Sequence, residues 1–389
     1  MSSGPLGDRA RVAFVLAASL ASTIGGLPFN SLPVMLGSIA DSFALDPRAV
    51  GLMGSICFAG YLLGTLGAPF WINRLNWRVL TVVSAAGTAG SFALSSQVKD
   101  LSTLYAVWAL IGFFASTMTC LGMRVLSELP DKVRAFGVRQ GVELSVTAAV
   151  LFALPPLAIA TYKYPGAALA LAGVVALLGL SAYWVPPHPL NADPQAQAAG
   201  RQRVTARAWL CLAVFFCFLT GNIALWAFIE RIGAAIPVAA AEMGLVFAVL
   251  KLLGGAAAFS VAAVGDRAGQ RLPHAAVLAG VAVGLGLLAG AKSFLPFALG
   301  AWIWEFCFTC GCVFQAALVA RHDASGRAVV LVPAVFALGS MVGPGLAGIL
   351  VGGGFGPVLW LALAASIVPV LAYSIARSPA GSGGLRAAP

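Results

Sequence analysis

The chain has 389 residues, of which 60% are hydrophobic and only 9% are charged, and its mean hydropathy is +0.95. A water-soluble protein carries roughly 25% charged residues, because its surface must be hydrated. With 23 basic and 13 acidic residues, this chain cannot cover a soluble surface. The composition excludes a cytosolic enzyme, a secreted disulfide scaffold and a disordered tail protein, and it predicts that the lipid bilayer surrounds most of the chain.

Twelve apolar stretches are long enough to cross a bilayer as helices, for which about 20 residues suffice. Short breaks with turn signals separate them, such as Asp46-Pro47-Arg48 and Lys163-Tyr164-Pro165-Gly166. None alternates like a barrel strand, and the first is too long for a cleaved signal peptide. The predicted spans are 12–39, 50–71, 79–97, 103–126, 135–160, 167–185, 208–234, 242–264, 275–291, 294–320, 328–352 and 357–376.

The longest polar stretch, residues 186–207, follows the sixth span and is rich in Pro, Ala and Gln. We expect it to be a cytoplasmic linker between two six-helix halves, residues 1–185 and 208–378, with a cytoplasmic tail over 379–389. Two equal halves joined by a linker suggest an internal repeat, which is the plan of many secondary transporters. The expected fold class is therefore an all-α membrane protein with 12 transmembrane helices in two pseudo-symmetric six-helix bundles.

The basic residues are distributed unevenly over this topology. Of the 23, five fall on one side of the membrane and Lys251 falls inside a span, so the remaining seventeen share the side of both termini. Basic residues collect on the cytoplasmic side, so the bias predicts cytoplasmic termini in a bacterial-type inner membrane. It also explains the net charge of +10 without a nucleic-acid partner. The five exceptions are Arg48, Lys99, Lys163, Arg231 and Lys292.

The loop after the eighth span reads Val264-Gly265-Asp266-Arg267-Ala268-Gly269-Gln270-Arg271. It resembles the G-x-L-a-D-R-x-G-R-K signature of the major facilitator superfamily, found between helices 2 and 3 and echoed between helices 8 and 9. At the equivalent place in the first half, Arg74 and Arg78 fit, but Asn73 replaces the acid and Asn76 the glycine. The resemblance implies that Asp266, Arg267, Arg271, Arg74 and Arg78 act in gating.

A second motif lies in the eleventh span, where residues 339–348 resemble the G-x-x-x-G-P-x-x-G-G motif that proton-driven drug antiporters carry in helix 5. Here helix 5 has Pro155-Pro156 instead, and Trp108 stands near the place of their helix-4 arginine. The family fold implies that helices 1, 4, 7 and 10 line a central cavity, that 2, 5, 8 and 11 flank it, and that the other four face lipid.

Charged residues inside a membrane are costly and mark functional sites. Glu305, near the middle of helix 10, is the first candidate for a proton carrier, and the alternative is a structural carboxylate. Lys251, near the middle of helix 8, could bind a substrate carboxylate or neutralise Glu230 or Glu305. None of the ionisable residues inside the predicted spans falls on helices 3, 6, 9 or 12, which agrees with the family fold.

Two further acids stand beside a basic residue. Arg139 and Glu143 share a face of helix 5 at i,i+4 spacing, so they could pair as a gate or a packing contact, with Glu143 as a further proton site. Glu230 and Arg231 lie toward the outer end of helix 7. Glu230 is a candidate second proton site or outer gate, and neither role is preferred.

Several uncharged side chains within the spans are candidate substrate contacts, with hydrogen bonding between helices and plain packing as the alternatives. The tryptophans add the option of stacking on an aromatic substrate or holding a cation. The seven cysteines are interpreted as packing, so neither a metal nor a cofactor is expected. The candidates are Asn30, Asn222, Gln315, Trp108, Trp226, Trp302 and Trp304.

These features predict a monomeric, proton-coupled secondary transporter that works by alternating access. Lys251 favours a small organic anion moved by symport, and an aromatic one is an option. The alternative is a proton-driven efflux antiporter for amphipathic or cationic compounds. A channel is a third hypothesis but lacks a filter sequence. The sequence has no clustered nucleophile–base or metal set that a membrane-embedded enzyme would need. It also has no Gly-rich phosphate loop of the kind that ATP-driven transport requires.

Overall fold

The computed structural model describes residues 8–72, 74–127, 132–188, 204–264, 271–322 and 327–375, and they form helices joined by short turns. Helix α1 has two segments, Asp8–Asn30 and Leu32–Phe43. The first half continues with α2 (Pro47–Ile72), α3 (Trp77–Ser95), α4 (Leu101–Ser127), α5 (Lys132–Ala153) and α6 (Ala160–Gly179). The second half contains α7 (Ala206–Ala234), α8 (Ala240–Val264), α9 (Arg271–Ala289), α10 (Phe294–His322), α11 (Arg327–Leu350) and α12 (Gly356–Ile375).

The prediction of twelve spans is confirmed. Ten helical segments of the described residues are long and apolar enough to cross a membrane. One of them, Val138–Tyr183, has 46 residues and contains two spans, because the backbone leaves the helical conformation at Lys163 (φ 56°, ψ −148°). The twelfth span is α3, which has 19 residues. With an even number of spans, the first helix begins and the last helix ends at the same end of the bundle, which we name the terminal end.

Side-chain caps fix the starts of several helices. Asn76, at the place of the motif glycine, accepts hydrogen bonds from the backbone N–H groups of Arg78 and Val79 and so caps α3. Asp100 accepts from the backbone N–H of Thr103 at 2.8 Å, a bond that lowers the pKa of this exposed carboxyl and starts α4. The short breaks predicted from the sequence are therefore stabilised by capping side chains.

Prolines interrupt two of the predicted helices. Pro33 offers no N–H to the Phe29 carbonyl, and α1 is broken at Ser31. Likewise, the Phe152 carbonyl would need the N–H of residue 156, which is a proline, and Leu154–Ile159 form a π-helical turn after α5. The expectation of unbroken helices over 12–39 and 135–160 is corrected at these points, because proline removes the i→i+4 donor.

The two halves meet along helix pairs that carry little side-chain bulk. Helix α2 packs on α11, α5 packs on α8, and the second segment of α1 packs on α7. A Cβ added at Gly51 would collide with the Pro344 carbonyl, and one at Gly244 would lie 2.5 Å from the Phe152 carbonyl oxygen. The backbones of the two halves therefore touch, as small-residue helix surfaces allow.

Candidate functional site

A cavity of about 500 Å³ lies between the two halves. Helices α1, α2, α4, α5, α8, α10 and α11 line it, and it extends toward the terminal end, where Met123 and Pro333 belong to its wall. Among the described residues α7 contributes none to this lining, which corrects the expectation for that helix. Helices α3, α6, α9 and α12 contribute none of it either. The polar side chains of the wall are Asn30, Tyr61, Thr65, Thr119, Arg139, Gln140, Glu143, Lys251, Glu305 and Thr309.

Lys251 and Glu305 form an ion pair between α8 and α10 on the wall of this cavity. The Lys251 Nζ donates to the Glu305 Oε1 at 3.3 Å, and the side chains are 3% and 7% exposed. The same ammonium lies 3.8 Å from the centroid of the Trp226 ring and 5.9 Å from that of Phe29. A lysine ammonium has three donors, one of which here meets a carboxylate, and a cation is also stabilised by the faces of aromatic rings such as these two.

Arg139 and Glu143 form the second ion pair, within α5. The predicted i,i+4 pairing is confirmed, with 2.6 Å between Nη2 of Arg139 and Oε2 of Glu143. Arg139 also donates from Nε to the Ser22 hydroxyl at 2.7 Å and from Nη1 to Gln140 at 3.4 Å. Asn30 donates to the Glu143 Oε1 at 3.4 Å. Each charged side chain is thereby bonded to α1 as well as to the other.

Ionic contacts join α1 and α7 at the end of the bundle opposite the terminal end. Arg231 donates from Nη1 to Asp41 at 2.7 Å and from Nε to Glu230 at 3.0 Å. Its Nη2 also donates to the carbonyl of Gly37. Because Asp41 and Gly37 belong to the first half and Arg231 to the second, this cluster holds the two halves together at that end. Glu230 pairs with Arg231, while Lys251 is paired with Glu305.

Four of the predicted substrate contacts lie outside the cavity wall and make hydrogen bonds within their own half of the protein. In the second half the Trp304 indole donates to Asn222 at 2.9 Å, and Asn222 donates to the Ser366 hydroxyl at 3.1 Å. In the first half the Trp108 indole donates to the Tyr164 hydroxyl at 2.9 Å. The Trp302 indole donates to the carbonyl of Val246 at 3.0 Å.

The other predicted contacts occupy three kinds of position. Asn30 lines the cavity. Trp226 contacts the lysine of the wall but is only 1% exposed, and its indole N–H donates to the Phe29 carbonyl at 2.9 Å. Gln315 is fully buried away from the wall, and neither atom of its amide has a hydrogen-bond partner among the described residues.

The structure describes some, but not all, of the residues predicted to act in gating. Asp266 and Arg267 lie outside the described residues. Arg271 begins α9 and is exposed, and Arg74 is exposed in the turn before α3. Arg78 donates from Nε to the Val185 carbonyl at 2.7 Å, so in this conformation it joins the segment that follows α6 within its own half.

Five aromatic residues of the cavity wall were not predicted from the sequence. Phe29 contacts Phe336 across the halves with ring centroids 5.0 Å apart, and it contacts Phe58 at 5.9 Å. Tyr61 lies 5.7 Å from Phe58 and donates its hydroxyl hydrogen to Thr119 at 2.8 Å. Apolar spans carry no periodic signal that separates a cavity face from a packed face, so the sequence does not mark these rings. They are Phe29, Phe58, Tyr61, Phe308 and Phe336.

Comparison with known proteins agrees with this geometry. The family model described as Major Facilitator Superfamily matches residues 15–321, and the chain belongs to that family of membrane transporters. A search of curated proteins gave no match. The predicted all-α, two-bundle fold is thereby confirmed, and the chain is a transporter rather than an enzyme.

Solved structures of transporters share the fold at low sequence identity. The nucleoside transporter NupG (D323A mutant) is 13% identical with a TM-score of 0.74, covering 93% of this chain and 99% of that one. A bacterial homolog of the human lysosomal transporter Spinster, inward-facing and unoccupied, is 14% identical with a TM-score of 0.70, covering 95% and 96%. The xylose transporter XylE from E. coli, partially occluded and inward open, is 11% identical with a TM-score of 0.74, covering 97% and 100%.

Proposed function

We propose that this transporter moves a small organic anion together with protons, by symport through alternating access. The observation that carries the proposal is the Lys251–Glu305 pair, an ammonium and a carboxylate buried on the wall of the cavity between the halves. A charge at that depth is retained at a cost, and such residues mark solute and ion pathways. A membrane transporter with this pair can couple the binding of an anion to the protonation of a carboxylate.

The charge balance of the cavity supports proton coupling. Its wall carries two cations, Arg139 and Lys251, and two anions, Glu143 and Glu305, so the four charges sum to zero. Protonation of Glu305 removes one negative charge and the ionic partner of Lys251. A bound carboxylate then restores neutrality, which a low-dielectric site favours. Proton and anion therefore bind cooperatively and cross as a neutral pair.

The donors of the site support an anionic solute. The Lys251 ammonium makes a hydrogen bond to a carboxylate at 3.3 Å, and it also lies against the rings of Trp226 and Phe29, which accept no conventional hydrogen bond. A solute carboxylate would supply stronger acceptors. The aromatic residues of the wall suit an apolar or aromatic body on that solute, since concave sites of this volume bind mainly through apolar surface.

The contacts around the cavity support a conformation open toward the terminal end. Arg231 and Asp41 join the halves at the opposite end, while the cavity extends the other way. With the cytoplasmic termini that the basic residues favour, this is the inward-facing state of a transporter in a bacterial-type inner membrane. We propose that Glu230 belongs to the outer gate and that the transporter is a monomer.

A two-stage experiment tests the function. Purified protein is first screened by thermal shift against a panel of aliphatic and aromatic carboxylates, with matched amines and neutral analogues. Hits are then assayed for uptake into proteoliposomes with and without a pH gradient, with protein-free liposomes as the control. We expect saturable accumulation of a carboxylate that requires the gradient. Saturable accumulation that ignores the gradient would exclude proton coupling.

A second candidate function, proton-driven efflux of an amphipathic cation, is favoured by one observation. The ring of Trp226 holds a cation, the Lys251 ammonium, at 3.8 Å from its centroid. Lys251→Ala separates the two functions. An anion carrier loses the thermal shift produced by its carboxylate, whereas a cation exporter retains the shift produced by its amine, because Glu305 remains to receive the charge.

A further inference from the structure

Trp226 makes a hydrogen bond between the two halves of the protein. Its indole Nε1 donates to the backbone carbonyl of Phe29 at 2.9 Å, which joins α7 of the second half to α1 of the first. Trp226 is 1% exposed and lies between that carbonyl and the Lys251 ammonium. Its position is therefore that of a contact between the halves, and it is not one of the residues that line the cavity.

The sequence of α1 explains why the Phe29 carbonyl can accept this bond. In a regular α-helix that oxygen would accept from the N–H of residue 33, four residues on. Residue 33 is proline and has no N–H. A buried carbonyl without a partner is costly, most of all in a membrane. The indole of Trp226 supplies the missing donor, but only while α1 and α7 are close together.

We propose that this hydrogen bond, which we name the indole latch, is a reversible lock that stabilises the conformation closed at the end opposite the termini. Opening that end separates α1 from α7 and breaks the latch, since its two atoms belong to different halves. Pro33 sets the strength of the latch by denying the carbonyl an internal donor. Trp226 is thus a positioning residue of the conformational cycle. The latch does not depend on which solute or ion is transported.

The test measures the distance between the halves at the closed end. Lys99 follows α3 and Lys292 follows α9, and both are exposed at corresponding places in the two halves. Spin labels on Lys99→Cys and Lys292→Cys report opening by pulsed electron paramagnetic resonance. The background carries Cys217→Ala, because Cys217 is an exposed cysteine of the described residues. The protein is measured in lipid nanodiscs without solute and at one pH.

Two variants break the latch from its two sides. Trp226→Phe keeps an aromatic ring against Lys251 but removes the N–H donor. Pro33→Ala keeps the acceptor but gives it a competing donor within α1. A net hydrogen bond shifts an equilibrium by roughly two- to tenfold, so we expect each variant to raise the open-to-closed ratio by that factor. Opposite chemical changes would then produce the same conformational shift.

Each variant has a matched control. The Trp77 indole donates to the Ile72 carbonyl at 2.9 Å within one half, so Trp77→Phe removes an equivalent bond that does not join the halves. Pro28→Ala is the control for Pro33→Ala, because it also restores a backbone N–H in α1 but does so five residues earlier. If either latch variant has the same distance distribution as its control, the proposal is overturned. Because no solute or proton gradient is present in this measurement, unchanged distances would not bear on the proposed transport of an anion with protons. Conversely, failure to transport an anion would not bear on the indole latch.

Discussion

The two ion pairs of the cavity differ in how fully their hydrogen-bonding capacity is used. In the first half, Arg139 and Glu143 lie on one helix and are both bonded to α1, through Ser22 and Asn30. In the second half, Lys251 and Glu305 lie on different helices and are bonded only to each other among the polar side chains described. The hydrogen bonds to α1 suit the first pair to act as a brace between α5 and α1. In the function we propose, the second pair exchanges its partners when an anion and a proton bind.

The largest difference should appear in proton coupling. We expect Glu305→Gln to reduce gradient-driven accumulation at least tenfold, because an amide does not take up the proton that releases Lys251, while solute exchange continues. Glu143→Gln should reduce accumulation much less, because its amide oxygen still accepts from Arg139. Uptake into proteoliposomes with a pH gradient, compared with counterflow without one, measures both. Full gradient-driven uptake by Glu305→Gln would refute the proposed coupling.

The second-largest difference between the two ion pairs should appear in the free energy of unfolding. Removing one partner of a buried ion pair costs about 3–5 kcal/mol, whereas an apolar pair of similar volume is often tolerated. Lys251→Met or Glu305→Leu alone should therefore destabilise the protein strongly, and the double variant should recover most of the loss. Arg139→Met should cost less, because Glu143 keeps its bond from Asn30 and is less buried. Unfolding followed in detergent gives the difference of each of these four variants from the parent protein. Losses from Lys251→Met and Glu305→Leu that simply add up in the double variant would contradict this account.

The tryptophan networks of the halves offer a finer comparison. Trp304→Phe leaves the buried Asn222 oxygen without its indole donor, which should cost about 1–3 kcal/mol. Trp108→Phe removes an equivalent bond, but the Tyr164 hydroxyl still donates to Ser95 at 2.7 Å, so the loss should be smaller. Thermal unfolding of the two variants in parallel checks the order. Equal losses would show that the second bond of Tyr164 gives no compensation.

The smallest expected effect concerns the Arg139–Glu143 pair and its hydrogen bond to α1. Ser22→Ala removes the α1 partner of the Arg139 Nε and should lower the free energy of unfolding by about 0.5–1.5 kcal/mol. Gradient-driven accumulation should stay near the parent level, because the Lys251–Glu305 pair is untouched. Unfolding and uptake measured on one preparation test both statements. A loss of coupling in Ser22→Ala would mean that the first pair also takes part in transport.

Sequence reasoning predicted the Arg139–Glu143 pair because i,i+4 spacing alone places two side chains on one face of a helix. It could not choose between Glu230 and Glu305 as partner of Lys251, since those residues lie on three different helices. It also marked Asn222 and Trp304 as polar or aromatic groups within spans, but not that they bond to each other. Distances between helices follow from packing, which no spacing along one helix records.

The sequence by itself determined that the chain crosses the membrane twelve times, because apolar length and turn residues are local properties measured against a fixed bilayer thickness. It also showed the resemblance to the superfamily through short motifs. Only the tertiary structure decided which faces line the cavity, because lipid and protein interior are equally apolar and leave no pattern in a span. Pro33 is visible in the sequence, but only the fold brings the Trp226 indole to the carbonyl that Pro33 leaves unpaired.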